Sequence, residues 1–358
     1  MDKLRILQHE FISNRDKISF LSAGPTNGPL LIFVHGWPSI AKTWKQQLYT
    51  FAALGFYVVA PDTRGYGDST VSENSSEYAL EVLVGDMAAL LGHLGREEAV
   101  WIGHDWGCGI VWALAAHHPD LCAGVINLCV PYRTLECGID ALVALVNRDI
   151  YPEEHYPFGQ FDYQKYYEQH SDEVIRVMEA DPGNTIKAIF TPMDTGAYGR
   201  PGRTATITRD GGWFGGAKSA PEIELDNTLL DDSMFQSLRD SFIRNGFFGP
   251  TSYYLNHAAN EQYSQRSVNN GMLDVPVFFI EARFDHVLST SISRLSEPMR
   301  KHCRNLTECS IDAGHWIVME RPQEVNAAIA RWLSTKLPRW WPGYWQSPLV
   351  SHPVSRGR

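Results

Sequence analysis

A lone aspartate stands just past the point where an apolar run breaks at a glycine: Ala99-Val100-Trp101-Ile102-Gly103-His104-Asp105-Trp106-Gly107. A helix-compatible stretch from Gly107 to His117 follows, and Pro119 punctuates it. Strand, sharp turn and helix put the Asp105 carboxylate at the tip of a nucleophile elbow. A carboxylate at that tip points away from acyl transfer. A serine attacking a saturated carbon would leave an ether, which activated water does not cleave. An aspartate leaves an ester, which water hydrolyses at the carbonyl carbon. Asp105 therefore implies substitution at an sp3 carbon, of an epoxide or an alkyl halide, in two half-reactions.

The second half-reaction needs a base, a group that orients it, and donors for the charge on the ester carbonyl. Asp312-Ala313-Gly314-His315-Trp316 follows the last strand-like run, so His315 is the expected base. Asp285 follows the run Val275 to Glu281 by a short loop and is the expected orienting acid. Asp105, Asp285, His315 is the nucleophile, acid, base order of such sites. Glu281 stands at a strand end and reads as structural, and Asp274 lies at the wrong edge of the sheet. The backbone N–H groups of Trp106 and of Trp37, in the turn His35-Gly36-Trp37-Pro38, are the expected oxyanion donors. His35 and His104 are expected to orient loops. A halide leaving group calls for N–H donors, which Trp106 would suit. An epoxide oxygen calls for O–H donors, and tyrosine, with a pKa near ~10, keeps its proton at neutral pH.

These residues need a scaffold. From residue 30 to 130 buried strand patterns (Leu30–Val34, Phe56–Ala60, the elbow strand, Gly124–Val130) alternate with helical ones. The clearest helix carries Leu80, Leu83, Val84, Met87, Leu91 and Leu94 on one face. This alternation predicts an α/β fold with a mostly parallel sheet flanked by helices, whose ligands bind at the carboxyl ends of the strands. Residues 5–22 predict an edge hairpin. The alternation stops after residue 131 and resumes near 271. We therefore expect residues 1–131 and 271–337 to form the core and 132–270 to form a mainly helical cap over the site. Within the cap, the glycine-rich stretch 183–216 reads as an exposed loop. The aromatic tail, residues 338–358, is expected to pack on the body.

Composition sets the outer bounds. The 358 residues are 44% hydrophobic and 20% charged, enough for a large core. A net charge of -10, with no basic stripe, excludes a nucleic-acid binder. No secretory signal is visible, and no run approaches the roughly 18 apolar residues of a membrane span, so a cytoplasmic location is expected. The six cysteines include no Cys-x-x-Cys pair and are expected to be reduced thiols rather than disulfides or zinc ligands.

Taken together, the motifs resemble the soluble epoxide hydrolases of the α/β-hydrolase fold. The resemblance runs from about residue 15 to 335 and leaves no place for the additional N-terminal domain of some animal members. It rests on His35-Gly36-Trp37-Pro38, Arg64-Gly65-Tyr66-Gly67-Asp68-Ser69, Gly103-His104-Asp105-Trp106-Gly107, Phe161-Asp162-Tyr163-Gln164, Gly249-Pro250 with Tyr253-Tyr254, Asp285, and Gly314-His315-Trp316. It implies two epoxide-activating cap tyrosines, placed on Tyr163 and Tyr254, with Tyr253 the alternative neighbour. It sets Trp37, Trp106, Gln164, Tyr253 and Trp316 against the substrate. It implies a small-molecule epoxide and water as the only partners, no metal or organic cofactor, and a monomer or homodimer. Two other readings stand beside it. One is a haloalkane or haloacid dehalogenase on the same scaffold, against which Trp37 stands where the haloalkane enzymes favour Asn. The other is a ligand receptor, which would have no need of a complete nucleophile, acid and base.

Overall fold

The computed structural model describes residues 5–343. Its centre is an eight-stranded sheet of order β1-β2-β4-β3-β5-β6-β7-β8. The strands are β1 (Leu7–Ser13), β2 (Asp16–Ala23), β3 (Leu30–Val34), β4 (Tyr57–Pro61), β5 (Ala99–His104), β6 (Cys122–Leu128), β7 (Val277–Ala282) and β8 (Leu306–Ile311). The β1–β2 hairpin pairs antiparallel, β2 lies antiparallel to β4, and every later pairing is parallel. This is the α/β-hydrolase fold with the mostly parallel sheet expected from the alternation.

Burial follows position in the sheet. Every residue of β3, β4, β5 and β7 is buried, as strands covered on both faces require. The outer strands β1 and β8 keep exposed positions. Six helices flank the sheet: α1 (Lys45–Ala53), α2 (Leu80–His93) and α3 (Trp106–His117) early, and α10 (Ser296–His302), α11 (Ile317–Glu320) and α12 (Pro322–Lys336) late. Helix α3 is buried from Trp106 to Ala116. It is apolar all round, as a helix enclosed on every side should be.

Between β6 and β7 the chain forms α4 (Ile139–Val143), α5 (Asp162–Glu179), α6 (Pro182–Ile189), α7 (Asp232–Asn245), α8 (Phe248–Ser252) and α9 (His257–Gln265), with no strand among the described residues. Side-chain hydrogen bonds tie this segment to the loops after β4. The Tyr253 hydroxyl donates to the Arg64 carbonyl at 2.8 Å, Asn256 Nδ2 donates to the Ser75 carbonyl at 2.7 Å, and Asn260 Oδ1 accepts from the Leu80 N–H at 2.9 Å.

The glycine-rich stretch differs from expectation. Residues 182–189 are helical, and Ile186, Phe190, Ala205 and Ile207 are buried. Its apolar residues take up core surface while its glycines turn the chain: Phe190 stacks on Trp316 with ring centroids 3.9 Å apart. In the tail, Trp340 donates to the Leu30 carbonyl and Trp341 meets the edge of Phe56, whereas residues 344–358 lie outside the described residues. All six cysteines are free thiols.

Candidate active site

Asp105 lies between β5 and α3 with φ 54° and ψ -125°. That region is sparsely populated for a residue with a Cβ and costs on the order of 1–3 kcal/mol. The packing around it enforces the turn. A Cβ on Gly107 would run into the Val34 carbonyl, and one on Gly36 would collide with the Asp105 carboxylate and come within 2.6 Å of the His104 carbonyl. Glycine is required at both places because two strand ends meet there.

The carboxylate is held asymmetrically. Asp105 Oδ1 accepts from the Trp37 N–H at 2.6 Å, and the Trp106 N–H also supports the charge. Oδ2 faces His315 Nε2 at 3.6 Å. Burial raises the Asp105 pKa above the ordinary carboxylate value, while His315 and the two N–H donors work against that rise.

His315 stands on the loop between β8 and α11. Its Nδ1 donates to Asp285 Oδ2 at 2.7 Å, and Asp285 Oδ1 accepts from the N–H groups of Val287 and Leu288 at 2.9 and 3.1 Å. Burial opposes charge on both partners. The Asp285 carboxylate nevertheless holds the imidazole pKa up, and the imidazole holds the carboxyl down. The two nitrogens are engaged differently: Nδ1 is hydrogen-bonded to Asp285 at 2.7 Å, whereas Nε2 stands 3.6 Å from Asp105, beyond hydrogen-bond distance.

Several supports carry the base. His104 Nε2 donates to the His315 carbonyl at 2.7 Å, and burial pushes its own pKa down to about 3. His35 Nε2 accepts from the Thr63 N–H at 3.0 Å, and burial lowers its pKa to about 4. Both rings therefore stay neutral and hold loops. Glu281 accepts from the N–H and hydroxyl of Ser291, a loop contact consistent with a structural carboxylate. Glu320 is an addition that spacing did not signal. It accepts from the N–H groups of Gly314 and Met193, tying the His315 loop to the helical segment.

Tyr163, in the first turn of α5, and Tyr254, in the short turn after α8, reach the carboxylate from the opposite side. Their rings lie 5.6 Å apart at 74°. Tyr254 is wedged edge-on against Trp37, Trp106 and Tyr167 at 5.7, 5.2 and 5.0 Å. A cavity of about 380 Å³ runs between the two sides, lined by Asp105, His315, Tyr163 and Tyr254 together with Trp37 and Trp316.

Three expected substrate contacts need correction, because these side chains do not line the cavity. Trp106 has its indole buried against Tyr254, and its backbone N–H is the part that meets Asp105. Tyr253 spends its hydroxyl on Thr63 and Arg64 and anchors the helical segment. Gln164 sits behind Tyr163, with Nε2 donating to the phenol oxygen at 3.0 Å. The apolar walls come instead from Ile189, Met193, Trp213, Phe284 and Leu288. The first three belong to the glycine-rich stretch, where only the alternation of glycine with large apolar residues hinted at a wall. Among the described residues, His104, Cys129 and His315 bring metal-ligand atoms within 4.8 Å of one another. The His315 Nδ1 is already engaged by Asp285, and His104 Nε2 by the His315 carbonyl.

Residues 29–172 match the sequence pattern of the alpha/beta hydrolase fold. Epoxide hydrolase A of Mycobacterium tuberculosis is 31% identical over 333 residues, covering 90% of this chain and 95% of that protein. Bifunctional epoxide hydrolase 2 of Sus scrofa is 29% identical over 321 residues, which are 89% of this chain but 53% of the pig protein. The chain thus spans about half the length of the bifunctional relatives. The crystal structure of epoxide hydrolase A from Mycobacterium thermoresistibile superposes with a TM-score of 0.74 at 27% identity, covering 92% of this chain and 99% of that one.

Proposed function

Since the chain belongs to the epoxide hydrolase family of the α/β-hydrolase fold, we propose that it hydrolyses epoxides to vicinal diols through a covalent ester on Asp105. The observation that carries this reading is the arrangement around one carboxylate. Asp105 is held through Oδ1 by backbone N–H, faces a His315–Asp285 pair, and shares one cavity with two phenols. The helical segment between β6 and β7 serves as a cap that presents those phenols.

In the first half-reaction Asp105 Oδ2 attacks an epoxide carbon and the carbon–oxygen bond of the ring breaks. Tyr163 and Tyr254 hold the ring oxygen, and a phenol supplies the proton to the alkoxide. Burial keeps both tyrosine pKa values above the ordinary range, so both are neutral donors at the start. In the second, His315 takes a proton from water, which attacks the ester carbonyl carbon. The negative charge then collects on Oδ1, already against the Trp37 N–H; as it collapses, the bond from the carbonyl carbon to Oδ2 breaks, the diol leaves with the proton from His315, and the oxygen of water completes the new carboxylate. Esterification also removes the Asp105 charge, one of the causes holding the His315 pKa up. The imidazole is therefore a readier base after alkylation than before it.

The steps consume no oxidant or reductant and use only these side chains and water. Dehalogenation fits less well. Trp106 is not among the residues that line the cavity, whereas the phenols Tyr163 and Tyr254 are, and these are donors suited to an epoxide oxygen. His315→Gln tests the reading: incubated with an epoxide, it should accumulate an adduct on the Asp105 peptide, seen by mass spectrometry, and release no diol. An unmodified Asp105 peptide would overturn the mechanism. Bromide release from a bromoalkane by the wild type, without diol formation from any epoxide, would favour dehalogenation.

A further inference from the structure

The two phenols stand in unequal surroundings. Tyr163 receives a hydrogen bond from Gln164 Nε2 at 3.0 Å. Tyr254 meets Trp37, Trp106 and Tyr167 edge-on, and burial with the negative charge of Asp105 opposes its ionisation. Tyr163 also lies in the first turn of α5, the positive end of the helical stretch that runs to a break at His170.

Gln164 itself is unusual. It is 2% exposed, does not line the cavity, and its Oε1 has no partner among the described residues. A buried amide whose carbonyl goes unpaired is a cost to folding, which a leucine at the same place would avoid. The amide's side-chain hydrogen bond goes to the phenol.

From this geometry we infer that Gln164 is a positioning residue that makes Tyr163, not Tyr254, the phenol that gives its proton to the opening epoxide. The inference rests on the epoxide hydrolase reading. By donating into a lone pair of the Tyr163 oxygen, Gln164 turns the phenolic proton away from itself and toward the cavity. As that proton leaves for the alkoxide, the O–H bond of Tyr163 breaks, and the electron pair stays on an oxygen already facing an N–H donor. Charge-assisted hydrogen bonds are shorter and stronger than neutral ones, so the Gln164 contact tightens as the phenolate forms. That is the differential binding that lowers a barrier. Tyr254 keeps its proton and serves as a neutral hydrogen-bond donor to the same oxygen. The hydrolysis half-reaction restores the balance: of the two protons of the attacking water, one passes through His315 to the diol oxygen that leaves Asp105, and the other, left on the new carboxyl group, returns to the phenolate.

A double-mutant cycle tests the assignment with the full chain and styrene oxide as probe. The rate of ester formation is read from the rapid-mixing change in tryptophan fluorescence, and ester hydrolysis from the steady-state rate. Gln164→Leu should slow ester formation by roughly 10-fold and leave ester hydrolysis within about 2-fold. In a Tyr163→Phe background the same change should have no further effect, whereas in Tyr254→Phe it should cost its full factor. Gln164→Glu preserves the volume. Its rate of ester formation relative to wild type should fall as pH rises, because an ionised carboxylate opposes the phenolate, and should recover as pH falls and the buried carboxyl regains a proton to donate. An undiminished Gln164→Leu effect in Tyr163→Phe, an equal loss in both half-reactions, or a pH-independent Gln164→Glu ratio would each overturn the role of Gln164. Absence of diol from wild type across a panel of epoxides would instead overturn the reading beneath it.

Discussion

The two sides of the cavity are built by different means. On the sheet side, Asp105, Asp285 and His315 hang from strand ends, and main-chain groups hold them: the Trp37, Val287 and Leu288 N–H groups and the His315 carbonyl bonded to His104. On the helical side, Tyr163 and Tyr254 are placed by side chains: aromatic edges around Tyr254, the Gln164 amide behind Tyr163, and the Tyr253, Asn256 and Asn260 anchors to the core. Backbone geometry gives the sheet side a rigid frame for charge. Side-chain packing gives the helical side its neutral donors and its apolar walls. In the proposed mechanism each side has one task, the sheet side ester hydrolysis and the helical side activation of the leaving oxygen.

The largest expected effect removes the group that both sides serve. Asp105→Ala should abolish diol formation, a loss of at least about 10⁴-fold in kcat, measured by chromatography of the diol. Asp285→Asn should act on the sheet side alone. It removes the carboxylate that orients His315, so steady-state turnover should fall on the order of 10³-fold while ester formation persists in a rapid-mixing burst. Equal loss in both half-reactions would break the division. Gly36→Ala should push its new Cβ into the Asp105 carboxylate. Displacing a reacting group by about 1 Å costs on the order of 100-fold, read as kcat with a folded, cooperative melting curve. A fully active Gly36→Ala protein would show that the sheet side is less rigid than its geometry implies.

The smallest effect concerns stability. The folded His315 pKa, held up to about 9 by Asp285, exceeds its value of about 6.5 in an unfolded chain. The contribution is therefore fully present below about pH 6.5 and is lost as pH rises through the raised value. The melting temperature of wild type should exceed that of His315→Gln most near pH 6 and converge with it above the raised pKa. A constant difference across that range would mean that the pair carries no charge in the folded protein.

The two sides also differ in how far they could be read along the chain. Asp105, Asp285 and His315 follow the runs that form β5, β7 and β8, and parallel strands bring their carboxyl ends to one edge wherever else the chain travels. Order and spacing were enough for that side. Tyr163 and Tyr254 share a cavity only because α5 and α8 fold back over that edge, and sequence spacing carries no record of such a fold. Motif resemblance named both tyrosines. Resemblance also set Gln164, Tyr253 and Trp106 against the substrate, and packing turned each of them away.

By itself, then, the sequence determined the alternation that builds the sheet, the elbow that presents Asp105, and a carboxylate rather than a hydroxyl at its tip. These depend on local patterns of hydrophobicity, glycine and residue type. Only the tertiary structure decided which aromatic groups line the cavity, how closely His315 approaches each carboxylate, and which tyrosine Gln164 supports. Those outcomes turn on differences of about an ångström between side chains far apart in the chain, such as the 2.7 Å and 3.6 Å that separate His315 from its two carboxylates.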